Sequence, residues 1–330
     1  MECFESVKNR GDEALFEDIK NSSEWETVEK VSKGWSSDTK YRIRTAKGQS
    51  LLLRVSDIEQ YAAKEKEYEI IEKYSRLGFP MSSPIDFGVC SGGKNVYMLL
   101  TWVEGRDLEE VLPGLPEEAQ YRLGREAGEI LKRIHSIAVA AGDRPKETKK
   151  EKKLRQLSRY EASQVRIAGD EDAIRYVKEN IDKIWKKEPV YMHGDYHPGN
   201  LIYTDDGAIG VIDFNRWEVG DPYEEFYKLE SFGIEQSVPY CIGQIDAYFE
   251  DAVPEDFWVA LAVYVAHASL YSIKWAERFG QEDVDGMVRR CRMAFEDYDG
   301  FRSCVPKWYT DGKHGCFLKN PLLTNGAFPC

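Results

Sequence analysis

The sequence predicts an α+β fold in two lobes, a small β-rich N-terminal lobe and a larger, mostly helical C-terminal lobe. Three observations predict it. The first hundred residues hold short apolar or alternating runs separated by turn residues, with one helical stretch among them. Beyond Pro222 the chain is helical and aromatic. Between these regions two short apolar runs flank the turn signal Asp205-Asp206-Gly207. A chain of 330 residues is long enough for two lobes sharing one site.

Taken in order, residues 1–24 are mixed and charged, and read as a helix or an arm. Val28–Val31, Tyr41–Thr45 and Ser50–Val55 read as strands, divided by turns at 33–38 and at Lys47-Gly48. Ile58–Leu77 is a charged helix with Ile70, Ile71 and Tyr74 at helical spacing, stopped by Gly78. Asp86–Val89 and Val96–Thr101 form a further strand pair around Ser91-Gly92-Gly93. The N-terminal lobe is therefore expected over 1–101, a hinge over 102–105 and the C-terminal lobe over 106–300. Within the latter, helices are expected at 117–139, 173–185, 223–232, 244–249, 257–279 and 284–298. The Lys-rich run Arg144–Arg155 reads as the exposed face of an insertion helix. Residues 301–330 show no helical period and are set apart as a tail without an assigned role.

Composition narrows the classes of partner. A net charge of −13 argues against nucleic acid. It is compatible with a cationic substrate, although an acidic surface more often serves solubility. The start Met1-Glu2-Cys3-Phe4-Glu5 is acidic and has no apolar signal segment. The longest apolar run, Phe257–Ala266, is too short to cross a bilayer. Seven cysteines without C-x-x-C spacing suit reduced thiols. A cytoplasmic protein without a membrane partner, monomeric or weakly dimeric, is the expectation.

Chemistry concentrates in His193-Gly194-Asp195-Tyr196-His197-Pro198-Gly199-Asn200, followed by Ile212-Asp213-Phe214. The pattern D-x-x-x-x-N and then D-F matches the catalytic loop and metal acid of kinases. One carboxylate orients the attacking hydroxyl and takes its proton, while an amide oxygen and a second carboxylate hold the metal ions that bridge the phosphates. Such oxygen donors suit Mg²⁺. A loop and a hairpin can bring Asn200 and Asp213 to one point. A metal hydrolase using His193, Asp195 and His197 is the rival chemistry, but it leaves Pro198, Gly199 and Asn200 without a role.

These residues, with Gly220-Asp221-Pro222, resemble the aminoglycoside phosphotransferase and choline kinase family, small-molecule kinases with a protein-kinase-like fold. The resemblance implies Asp195 as catalytic residue, Asn200 and Asp213 as metal ligands, and weaker similarity over roughly residues 25–300. A kinase-like site also needs a cation on the third strand and an acid on the next helix. The cation position falls at Arg54, where the family more often has Lys, and the acid at Glu67 or alternatively Glu65. Ser36 and Ser37 stand where a glycine-rich loop would cover phosphates, and Leu100, Thr101 and Val103 where a purine would sit, with ATP and GTP both open. His193 and His197 read as supports of the loop, and His135 and His267 as structural. Asp221 reads as a helix N-cap that, by resemblance, also braces the catalytic loop. Glu218 and Glu230 are candidates for binding substrate ammonium groups.

The implied activity is transfer of the γ-phosphoryl of ATP or GTP to a hydroxyl of a small molecule, with an aminoglycoside as leading acceptor. Choline-like, macrolide and sugar acceptors stay open. A nucleotide-binding module without turnover is the alternative of another class. A protein kinase is disfavoured, because the short interval from Asp213 to Asp221-Pro222 leaves little room for a peptide-positioning activation loop.

Overall fold

In the computed structural model, which describes residues 16–31 and 38–314, the chain divides into two packed units. One comprises Met1–Asp107 with Asn200–Trp217, and the other Leu108–Gly199 with Glu218–Cys330.

The first unit is built on a five-stranded antiparallel sheet in the order β1-β2-β3-β5-β4. Its strands are β1 (Trp25–Val31), β2 (Thr39–Thr45), β3 (Ser50–Asp57), β4 (Pro84–Cys90) and β5 (Asn95–Thr101). Side chains alternate between the two faces with period two. Tyr41, Ile43, Leu51, Leu53, Val55, Tyr97 and Leu99 fill one face, where Phe16 and Ile19 cover them. Lys40 and Arg54 are directly paired across β2 and β3, and their positions alternate with those core residues. Helix α1 (Tyr61–Ser75) buries Glu67, Ile70, Ile71 and Tyr74. It ends just before Gly78, whose φ of 75° is the left-handed conformation that glycine supplies at helix ends.

The division of the chain differs from the contiguous border expected at the hinge. Strands Leu201–Tyr203 and Ile209–Val211 form a hairpin that pairs with Arg106–Asp107. Val211 N donates to Pro80 O at 2.9 Å, and Ser82 N donates to Val211 O at 3.1 Å. These backbone bonds join Asn200–Trp217 to the N-terminal unit, a pairing between distant segments that sequence spacing does not announce. Gly105 is required at the expected hinge, since a Cβ there would lie 2.4 Å from Tyr203 O.

The second unit is mainly helical. Helices Glu117–His135 and Val238–Tyr248 approach through glycines: a Cβ on Gly124 would sit 2.0 Å from Tyr240 O, and one on Gly243 2.3 Å from Tyr121 O. Helix Glu255–Ala276 has 22 residues and is long and apolar enough to cross a membrane by length and composition, yet 67% of its most apolar window is buried within the protein. His267 lies on its buried side, and burial pushes the imidazole well below its usual range. Strand Val190–Met192 pairs with Glu218–Gly220 and leads into the motif loop.

Two expectations are corrected here. The run Arg144–Arg155 is not simply an exposed face: Lys153 is buried, donates to Glu224 at 2.7 Å and lies 4.9 Å from the centre of the Tyr264 ring. The segment set apart as a tail is, through residue 314, part of this unit. It forms helix Lys307–His314 and buries Phe301, Trp308 and Tyr309. Eight residues are too few to display a helical period, and the aromatic side chains decide the docking.

Candidate active site

In the first unit, the hairpin sets Asn200 beside Ile212, whose N–H donates to Asn200 O at 3.1 Å. Asn200 and Asp213 therefore stand at the same end of the hairpin, as the sequence pattern suggests. Asp213 has φ 63° and ψ 62°, a left-handed conformation that is costly outside glycine and tolerated best by Asn and Asp. Its Oδ2 accepts from Lys40 Nζ at 3.1 Å. Its Oδ1 is buried and has no hydrogen-bond partner among the described residues. An orphaned carboxylate oxygen is expensive to bury, and it suits a hard cation. Among the described residues no three His, Cys, Asp or Glu are grouped to hold a metal alone. The buried Asp213 oxygen thus has the donor chemistry that Mg²⁺ takes, an ion whose remaining ligands come from phosphate and water.

Arg54 is 4% exposed and its guanidinium is clamped. Nη1 donates to Glu67 Oε1 at 2.5 Å, while Nε and Nη2 donate to Asp38 Oδ2 at 2.9 and 2.5 Å. Lys64 joins the same two acids, at 2.7 Å to Asp38 and 3.2 Å to Glu67. Burial alone would raise the Asp38 carboxyl, but Arg54 and Lys64 outweigh it and hold the group down at about 2. The pairing of Arg54 with Glu67, rather than Glu65, agrees with the helix face carrying Ile70 and Ile71. Removing one partner of such a buried pair costs about 3–5 kcal/mol, whereas a partly exposed pair such as Lys40–Asp213 contributes about 0–1 kcal/mol.

The other nucleotide-side positions are placed as follows. Leu100 is buried on β5, opposite Leu52 and Pro84. The Thr101 hydroxyl accepts from Ser83 N at 2.8 Å and donates to Met81 O at 3.2 Å, so it is committed to holding β5. Val103 packs where a Cβ on Gly210 would come within 2.5 Å of it. Arg42 stacks on Trp102 at 4.6 Å and binds Glu104 at 3.1 Å, fixing the segment after β5. Ser36 and Ser37 lie outside the described residues.

In the second unit, Glu225 braces the motif loop. It is 2% exposed and accepts from Gly194 N at 2.9 Å and Tyr196 N at 3.4 Å. Burial would raise its carboxyl, but His135, 3.7 Å away, together with His193 and the Gly194 amide, holds it below its usual value. Tyr196 OH donates to Ala127 O at 2.9 Å, and the ring is fully buried. Asp195 Oδ1 meets Lys228 Nζ at 2.6 Å and lies 3.7 Å from His197 Nε2. The two motif histidines act as backbone acceptors: His193 Nδ1 takes Asp195 N, and His197 Nδ1 takes Gly199 N, each at 3.2 Å. That arrangement supports the loop.

Three acids of this unit meet the following partners. Asp221 caps the following turn through Tyr223 N at 3.1 Å, and also accepts from Trp185 N and Tyr264 OH at 2.5 and 2.7 Å. Bracing of the loop amides falls instead to Glu225. Glu218 is ion-paired with Lys149 and its side chain stays 38% exposed. Glu230 is buried rather than presented to a substrate. It accepts from Trp308 Nε1 at 2.7 Å, and burial pushes its carboxyl up to about 8. A neutral, buried acid does not bind an ammonium group.

The model of the Phosphotransferase enzyme family matches residues 27–264. The chain belongs to this family. Solved phosphotransferases share its fold. Wild-type aminoglycoside 2'-phosphotransferase-IIIa in complex with GDP is 18% identical, with a TM-score of 0.64 over 86% of this chain and 97% of that one. The GDP and kanamycin complex of APH(2")-IIia is 20% identical, with a TM-score of 0.61 over 86% and 96%. A thermostable mutant of aminoglycoside phosphotransferase APH(4)-Ia, in a ternary complex with ADP and hygromycin B, is 17% identical, with a TM-score of 0.59 over 82% and 93%. No curated protein matches the sequence. The phosphotransferase therefore has the protein-kinase-like α+β fold that its motifs imply.

Proposed function

We propose that this phosphotransferase moves the γ-phosphoryl group of ATP or GTP to a hydroxyl of a small molecule, with an aminoglycoside as the leading acceptor. The observation that carries the reaction class is the end of the hairpin, where Asn200 stands with Asp213 and its unpartnered Oδ1. Mg²⁺, when bound there, neutralises charge on the transferring phosphoryl group. Asp195 orients the acceptor hydroxyl and takes its proton as the oxygen attacks the γ-phosphorus and the bond to the bridging oxygen breaks. The cation side of the phosphate site is supplied by the sheet face that carries Lys40 and Arg54. Support for a cationic acceptor comes from the overall charge of −13 and from the kanamycin and hygromycin B held by relatives of the same fold.

The test is a panel of aminoglycosides, choline, macrolides and sugars, assayed with ATP and GTP in parallel for nucleoside diphosphate release. Acceptor-dependent turnover with an aminoglycoside, abolished by Asp195→Asn, is expected. Turnover confined to neutral acceptors would sink the aminoglycoside assignment. Nucleotide binding without turnover on any acceptor would favour a binding module.

A further inference from the structure

We propose that Lys40, on β2, is the side chain that grips the nucleotide phosphates, and that Arg54 serves as the scaffold behind it. The inference rests on the nucleotide-dependent reading above. Lys40 and Arg54 are cross-strand partners, so their side chains share one face of the sheet. The two cations differ in their hydrogen-bonded anions, although the Asp213 charge is felt at Arg54 as well. Arg54 faces Asp38 and Glu67, which engage three of its N–H groups. Lys64 joins that cluster, so that among the described residues two cations meet these two carboxylates. The cluster is buried, with Arg54 4% exposed. Turning Arg54 toward a phosphate would break its hydrogen bonds to both acids.

Lys40 is differently placed. Its ammonium rests on Asp213, and the two side chains are 13% and 23% exposed, more than Arg54 at 4%. Asp213 is the acid that the fold sets beside Asn200. A cation already resting on that acid is within reach of any phosphate brought to it, and a lysine stem has the freedom to follow. The Lys40–Asp213 contact joins residues 173 positions apart, so the motif spacing carries no trace of it.

Calorimetric titration with ATP and with adenosine, on wild type, Lys40→Ala and Lys40→Arg, tests this. Lys40→Ala is expected to weaken ATP at least tenfold while adenosine affinity stays unchanged. Lys40→Arg should recover part of the ATP affinity. An unchanged ATP affinity in Lys40→Ala, or an equal loss for ATP and adenosine, would overturn the assignment. Wild-type protein that binds no nucleotide would instead overturn the phosphotransfer reading on which it rests.

Discussion

Lys228 Nζ lies 2.6 Å from Asp195 Oδ1, and both side chains are largely shielded from solvent. Burial alone would lower the ammonium, but the Tyr227 hydroxyl and the Asp195 carboxylate hold it above its usual value, so it stays charged. Its ammonium lies against the Tyr227 and Phe232 rings, which fixes its direction. A cation at this distance favours the ionised carboxylate and limits its rotation.

Lys228→Met keeps the stem and removes the charge. The expected outcome is a fall in kcat of about tenfold or more, with nucleotide KM changed far less. Steady-state kinetics on both proteins check this, and an unchanged kcat would show that Lys228 only packs.

Glu225 gives a stability prediction with a definite sign. Its carboxyl is held below the usual value in the folded protein, so its contribution is present above the unfolded value of 4.5 and is lost as pH falls through the folded one. Glu225→Ala also leaves the Gly194 and Tyr196 amides without their acceptor, at about 1–3 kcal/mol for each buried donor. The variant should melt well below wild type at pH 7, and the gap should narrow as the solution is acidified below the usual carboxylate range. A gap independent of pH between about 7 and 3 would contradict the assignment of this carboxylate as the charged brace.

Sequence spacing located what lies close along the chain. Asp195, Asn200 and Asp213 sit in one loop and one hairpin, and Arg54 and Glu67 in one strand–helix succession. Contacts between remote segments escaped it. Lys228 and Glu225 reach the motif loop from the segment after Asp221, where acids and lysines look like solvated helix surface. Lys40 reaches Asp213 over 173 positions of sequence. Each belongs to a polar pair whose partner is set by pairing of distant elements, and neither residue alone carries a periodic signal. Of the two carboxylates expected to meet a substrate, Glu230 is buried against Trp308, 78 positions further along the chain, and Glu218 is ion-paired with Lys149.

Glu230 supplies the opposite pH signature. Burial pushes its carboxyl up to about 8, with the Asp297 charge adding to the rise against the Trp308 hydrogen bond. The folded chain thus keeps a proton that the unfolded chain releases above 4.5, so stability declines as pH rises from there to about 8. Glu230→Gln retains an acceptor for Trp308 Nε1 and removes the titration. The variant is expected to match wild type near pH 4.5 and to melt progressively higher than wild type toward about pH 8. Denaturant unfolding at intervals across that window measures the difference. A wild-type advantage that grows with pH would mean that Glu230 is charged in the folded protein, and would restore it as a candidate for binding a cationic group.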